Sequence, residues 1–152
     1  MAIMYSSEDI LNKAKNELIE KYGSIKKESP DYDFNFTKYY EKEMGSNLKK
    51  RFIILEKEIS KKDLIDIKLF ITEIEEKFSF DERRTVNIDP GYISSKELVL
   101  ATFKAKDFKE KLNDQIWVHK VLEFDPLKEF FHTFADYREK ENQKFLITNK
   151  PL

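Results

Sequence analysis

Ile10, Leu11, Ala14, Leu18, Ile19 and Tyr22 recur at the spacing of a helix with one buried face. Ser6 stands ahead of that run as an N-cap and Asp9 lies three residues on, a short-acid form of the capping box. Tyr5 and Ile10 flank the cap as a hydrophobic staple, and Gly23 supplies the stop. A second helix repeats the plan: Ser60 caps, Asp63 sits three residues on, and Ile59 and Leu64 form the staple. Its stripe of Leu64, Ile67, Ile71, Ile74 and Phe78 is widened by Ile65 and Phe70, the width of a helix that packs against a sheet.

Strand patterns fill the intervals. Ala2–Tyr5 is a short apolar run that leads into the first cap. Tyr32, Phe34 and Phe36 alternate with Asp33, Asn35 and Thr37, the period of a half-buried strand. Arg51–Glu58 is apolar on both faces at its centre, as a central strand is. Thr85–Asp89 alternates again, with Val86 and Ile88 inward and Asn87 and Asp89 outward. The order strand, helix, strand, strand, helix, strand over residues 2–89 predicts an α+β fold, specifically a ferredoxin-like split βαβ sandwich. The expected core is Ile3, Leu18, Phe34, Ile54, Ile67, Ile71, Ile74, Val86 and Ile88. Leu98–Phe103 and Ile116–Phe124 read as further strands that extend the sheet, residues 126–134 as a helix by period, and Asp136–Leu146 as a terminal helix. Without a linker or low-complexity tract, residues 1–152 read as one domain.

Composition narrows the function. A chain of 152 residues can bury about 70% of its unfolded surface. Charged residues reach 38%, yet the net charge is −1 and 40% of residues are apolar, a balance that folds. Near-neutrality argues against a nucleic-acid binder, and the basic run Lys49-Lys50-Arg51 reads as a solvated strand end. No cysteine is present, which excludes disulfide and thiolate chemistry. The apolar run Phe52–Leu55 is far short of a membrane span, and Met1–Ser7 does not read as an export signal, so a cytoplasmic protein is expected.

The three glycines, Gly23, Gly45 and Gly91, are too far apart for a P-loop or a dinucleotide-binding turn. His119 and His132 lack metal-ligand spacing. Two constellations remain. In the first, Asn87 and Asp89 share a strand face and Pro90-Gly91 turns the chain as a type II turn ahead of Tyr92. Asp89 there either ligates a cation or bonds the amides of its own turn. In the second, residues 33–45, Glu41 and Glu43 offer carboxylates for a hard cation, while Tyr39, Tyr40 and Met44 read equally as closing the core. Lys68, at the flank of the second helix's stripe, suits either a phosphate or a snorkelling stem.

The segment Asp33-Phe34-Asn35-Phe36-Thr37-Lys38-Tyr39-Tyr40-Glu41-Lys42-Glu43-Met44-Gly45 resembles the Phe-Asp-Phe-Thr-x-Tyr-Tyr-x-x-Glu-Met-Gly signature of the domain-of-unknown-function 4416 family. Ile67-Lys68, Thr72, Ile74-Glu75, Val86–Tyr92 and Leu98–Thr102 follow its pattern in order, and Thr133, Asp136, Tyr137 and Arg138 resemble its closing motif. The resemblance implies no established activity. Some members carry the label "GTP-binding protein", which the absent P-loop does not support. It does place Asn87, Asp89, Tyr40 and Glu43 on motif positions. The chain departs from the pattern where members show His-Arg-Ile-Tyr-Leu, since Phe108-Lys109-Glu110-Lys111-Leu112 stands there.

The function expected from these features is the binding of a small ligand, an anionic or nucleotide-like metabolite, without a P-loop. Asn87, Asp89, Gly91, Tyr92, Tyr40 and Glu43 would line the site, with Arg84, Lys68 and Arg51 as positive charge. Two alternatives stay open: a metal-assisted hydrolase with Glu41, Glu43 and Asp89 on a divalent cation, and a protein-interaction module. Whether the protein is an enzyme is left undecided. A monomer or homodimer without nucleic-acid or membrane partners is expected.

Overall fold

The computed structural model describes residues 1–130 and 135–152. Its chain is a mixed α/β protein with four helices and two five-stranded antiparallel sheets among those residues. The residues group into two compact units, Met1–Glu58 with Leu69–Ile88, and Ile59–Lys68 with Asp89–Leu152.

The first unit begins with β1 (Ala2–Tyr5), buried along its whole length, and α1 (Glu8–Tyr22). Ser7, not Ser6, is the N-cap: its side chain accepts from the Ile10 N–H at 3.5 Å. Two adjacent serines offer the same chemistry, and the one followed by Glu8 and Asp9 in the first turn takes the role. Leu11, Ala14 and Leu18 are buried, while Ile19 lies at the margin. Gly23 ends the helix at φ 88°, where a side chain would be strained.

Two short strands follow, β2 (Ile25–Glu28) and β3 (Tyr32–Asp33), then a single helical turn, α2 (Glu41–Met44), and the long strand β4 (Lys49–Leu55). β4 pairs antiparallel with β1 in the register Ala2 to Phe52 through Tyr5 to Lys49, and also with β2 and β3. After β4 come α3 (Leu64–Lys77), entered through a 3-10 turn at Lys61–Asp63, and β5 (Val86–Asp89). The sheet order is β2-β4-β1-β5, with β3 also on β4. The Ser60 cap forms as the sequence indicates: Ser60 N–H donates to the Asp63 carboxylate at 2.6 Å. Ile71 and Ile74 on α3 are buried, as are Val86 and Ile88 on β5.

Several expectations shift here. The alternation of rings from Tyr32 to Phe36 does not make a long strand, because β3 stops at Asp33. Phe34 and Tyr40 instead pack on Met4, Met44 and Leu48, with Phe34 edge-on to Phe36 and Tyr40. On β4 the buried apolar residues are Phe52 and Ile53, and Ile54 is only partly covered.

The second unit holds β6 (Gly91–Ile93), β7 (Glu97–Thr102), β8 (Glu110–Lys111), β9 (Trp117–Glu123) and β10 (Lys128–Glu129) in the order β10-β9-β7-β6, with β8 on β9. The helix expected over residues 126–134 is overturned at its start by β10, and residues 131–134 lie outside the described residues. A 3-10 turn at Ala135–Arg138 leads into α4 (Lys140–Asn149), later than the expected terminal helix. Asn142 bonds the carbonyl of Asp136 at 2.6 Å and Gln143 that of Tyr137 at 2.9 Å, so helix side chains satisfy the turn and set the offset. No described helix is long and apolar enough to cross a membrane.

Candidate functional site

One polar cluster of the first unit is centred on Arg84, just ahead of β5. Its Nε donates to Glu43 Oε1 at 2.6 Å and its Nη2 to Glu43 Oε2 at 2.9 Å, a two-point fork onto one carboxylate. Its Nη1 is held by Glu75 Oε2 at 3.0 Å and by Asn87 Oδ1 at 2.7 Å. Three elements therefore fix one guanidinium: α2 supplies Glu43, α3 supplies Glu75 and β5 supplies Asn87.

The surroundings of its two sides differ. Glu75 and Asn87 are buried, whereas the Glu43 side chain is 33% exposed and that of Arg84 34%. The Arg84 hydrogen bonds hold the Glu43 carboxyl below the usual range and outweigh the opposite push of burial. In turn Glu43 raises Arg84 further above its already high value, so both charges persist at any ordinary pH.

Two expectations are corrected at this cluster. Asn87 does not face outward beside Asp89; it is buried and engaged with Arg84. Glu75 is a member that the sequence reading passed over. It follows Ile67 and Ile71 at four-residue steps, so a charge on the apolar stripe was the signal that it needed a buried partner.

Arg51 on β4 anchors a second cluster in the same unit. It reaches Asp31 at 2.7 Å, Glu28 at 3.0 Å and Glu8 at 3.1 Å, and Tyr5 donates its hydroxyl to Asp31. Asp31 is held down at about 2, chiefly by the hydrogen bond from Arg51. Burial pushes Glu28 up, but the bonds from Lys15 and Arg51 together win and keep it low. The run Lys49-Lys50-Arg51 is thus not a solvated strand end: Lys50 is buried with its Nζ 5.5 Å from the Phe34 ring. Arg51 carries no surplus charge for a ligand, since three carboxylates surround it.

Tyr40, Glu41, Glu43, Arg84 and Asn87 fall in the first unit, and Asp89, Gly91, Tyr92 and Lys68 in the second. Gly91 is not at the positive-φ position of a type II turn. It opens β6 opposite Leu100, where a Cβ would stand 2.1 Å from the Val99 carbonyl oxygen, so its role is close strand approach. Tyr92 donates to Glu97 at 2.6 Å, and Lys120 bridges Glu97 at 3.0 Å and Glu123 at 3.2 Å. Burial foremost, then the bond to Glu97, lifts the Tyr92 phenol well above its usual range. Lys68 is buried, with its Nζ 5.2 Å over the Phe103 ring.

Tyr40 serves the Met4, Met44 and Leu48 cluster, and Glu41 is exposed at the start of α2. Among the described residues no group of three or more His, Cys, Asp or Glu side chains is placed to hold a metal ion.

A mixed α/β protein with a carboxylate-clamped arginine behind a short Tyr-Tyr-x-x-Glu-Met-Gly helix is the class that these elements define. The family described as "domain of unknown function (DUF4416)" matches residues 1–150, and the chain belongs to it. Neither a curated protein nor a solved structure matches the chain.

Proposed function

We propose that the protein binds a small anionic ligand at Arg84, with Glu43 occupying the ligand's place in the unliganded protein. The observation that carries this reading is the asymmetry of the guanidinium's partners. Buried Glu75 and Asn87 fix the plane of Arg84 through Nη1, while its fork is closed by a one-third-exposed carboxylate from a four-residue helix. A guanidinium fork recognises a carboxylate or a phosphate in the same two-point geometry. Exchange of Glu43 for a ligand oxyanion conserves the charge on the fork, so the exchange requires no uncompensated burial.

Inorganic phosphate and malonate are suitable probes in a thermal-shift titration of the parent protein, Glu43→Gln and Arg84→Lys. Glu43→Gln removes the internal competitor at a cost of about 1 kcal/mol in stability, and it should respond to phosphate more strongly than the parent. Arg84→Lys keeps the charge but loses the fork, and its response should vanish. A Glu43→Gln protein as indifferent to both anions as Arg84→Lys would refute the reading and leave a purely structural ion pair.

We further infer that the first unit is a ferredoxin-like split βαβ. The order β5-β1-β4-β2, with α1 between β1 and β2 and α3 between β4 and β5, supports it.

A further inference from the structure

Between α3 and β5 the chain of the first unit makes a two-residue hairpin closed by two backbone bonds. Phe80 N–H donates to the Arg83 carbonyl at 2.9 Å, and Arg83 N–H to the Phe80 carbonyl at 3.0 Å. The two central residues, Asp81 and Glu82, stand at φ 50° and 58°. Two successive positive φ values are the condition of a type I′ turn, which Asn-Gly meets without strain and Asp-Glu does not. The stem is held on both sides. Thr85 donates its hydroxyl to the Phe78 carbonyl at 2.7 Å, and Ser79 donates its own to the Glu76 carbonyl at 2.7 Å. The tip is therefore a stiff projection, kept in a strained form that retains two charged side chains.

Phe80 is 79% exposed there, more than any other described phenylalanine. As bridge partners, Phe80 and Arg83 leave the hairpin on the same side. Asp81, Glu82 and Arg83 are exposed too, and the side chain of none of them has an ion-pair or hydrogen-bond partner among the described residues. A ring on a preorganised turn loses little freedom on docking, and aromatic rings anchor protein contacts. The two carboxylates beside it turn it away from an anionic lipid surface. A protein that fits the turn has to offer an anion to Arg83 and a cation to Asp81 and Glu82. A second copy carries both by construction. A two-fold axis beside Phe80 brings Arg83 of each chain against the carboxylates of the other, and each ring against its equivalent.

We propose that the turn 80–83 is a self-complementary contact through which two copies of this chain associate. Phe80 meets Phe80 at the axis, and Arg83 pairs with Asp81 or Glu82 of the second copy. So small a tip buries far less than the roughly 800 Å² per partner of a standard interface, so the association is weak, with Kd about 10⁻⁴ M. The contact uses Arg83 and leaves Arg84 with Glu43, so it stands apart from anion binding.

Sedimentation equilibrium of the full chain, over concentrations that bracket that Kd and at low and high salt, reads the association. The parent should dimerise, and less so at high salt. Phe80→Ser should weaken the dimer about ten-fold or more. Arg83→Glu by itself should stay monomeric, as should Asp81→Lys with Glu82→Lys. An equimolar mixture of those two proteins should recover the dimer, and lose it again when both also carry Phe80→Ser. Asp81→Asn with Glu82→Gly supplies the residues that the turn prefers, and should unfold at a higher temperature than the parent yet associate less. Those opposite shifts separate loss of the contact from loss of the fold. A parent that stays monomeric throughout, a mixture no more associated than its components, or Asp81→Asn with Glu82→Gly dimerising as well as the parent overturns the proposal. So does a parent dimer that Phe80→Ser leaves unchanged, which would place the contact elsewhere on the chain.

Discussion

Asp31→Asn should make the protein less sensitive to acid, and the size of the change follows from the Arg51 cluster. The Asp31 carboxyl is depressed to about 2, first by the Arg51 hydrogen bond and further by the bond from Tyr5, against an opposite push from burial. A carboxyl whose native pKa lies below its unfolded value stabilises the fold when it is ionised in both states. That contribution is therefore complete above an unfolded pKa of about 3.9 and is lost as pH falls toward the native value. A difference of nearly two pKa units corresponds to about 2.5 kcal/mol in full. The Asp31 side chain is 26% exposed, and solvent screening reduces the expected figure to about 1–2 kcal/mol. Asparagine preserves the shape and an acceptor oxygen for Tyr5, and Arg51 keeps Glu28 and Glu8, so no charge is orphaned. Urea unfolding followed by circular dichroism from pH 5 down to pH 2 would measure it. The parent should lose about 1–2 kcal/mol more than Asp31→Asn over that interval, because Glu28, Glu43 and Glu97 titrate in both proteins. Parallel curves would show that the Asp31–Arg51 bond, despite its 2.7 Å length, contributes nothing net.

Further outcomes follow from packing. Ile71→Ala, at a fully buried position on α3, should cost about 2–5 kcal/mol in urea unfolding through the cavity it leaves. Gly91→Ala places a methyl against the Val99 carbonyl and should cost about 1–3 kcal/mol in the same assay, with a loss of amide protection along β6 and β7. Ser60→Ala leaves the Asp63 carboxylate with half of its capping box and should lower stability by about 1 kcal/mol, whereas Ser6→Ala should be silent because Ser7 is the cap of α1.

Legibility followed how local the determining physics was. The Ser60-x-x-Asp63 cap and the Leu64–Ile74 stripe are local, and α3 appears where they place it. The cap of α1 slipped by one residue because Ser6 and Ser7 are locally equivalent. β2 escaped notice because Ile25-Lys26-Lys27-Glu28 has no apolar alternation; it is an outer strand whose partner, β4, supplies the buried residues. The rings of residues 34–40 misled in the opposite direction, since aromatic alternation served a cluster with Met44 and Leu48. At the candidate site, Asn87 and Glu43 were legible as polar residues on family motif positions, and Arg84 as a positive charge beside them. Their union was not, because it depends on a partner 41 residues away in the chain and on Glu75 hidden in an apolar stripe.

The short helix α2 has two adjacent anchors of different kinds. Met44 is buried among Met4 and Leu48, and Glu43 is tied to Arg84. Glu43 also accepts from the Arg84 backbone N–H at 3.4 Å, so one main-chain amide is protected by a side chain that an arriving anion would displace. Ligands ordinarily slow hydrogen exchange where they bind. Here the amide of Arg84 should exchange faster on anion binding while the amides of β4 and β5 do not, since Met44 keeps the helix docked. Measured at single-residue resolution, that inverted response distinguishes a ligand that takes the place of Glu43 from one that merely settles nearby.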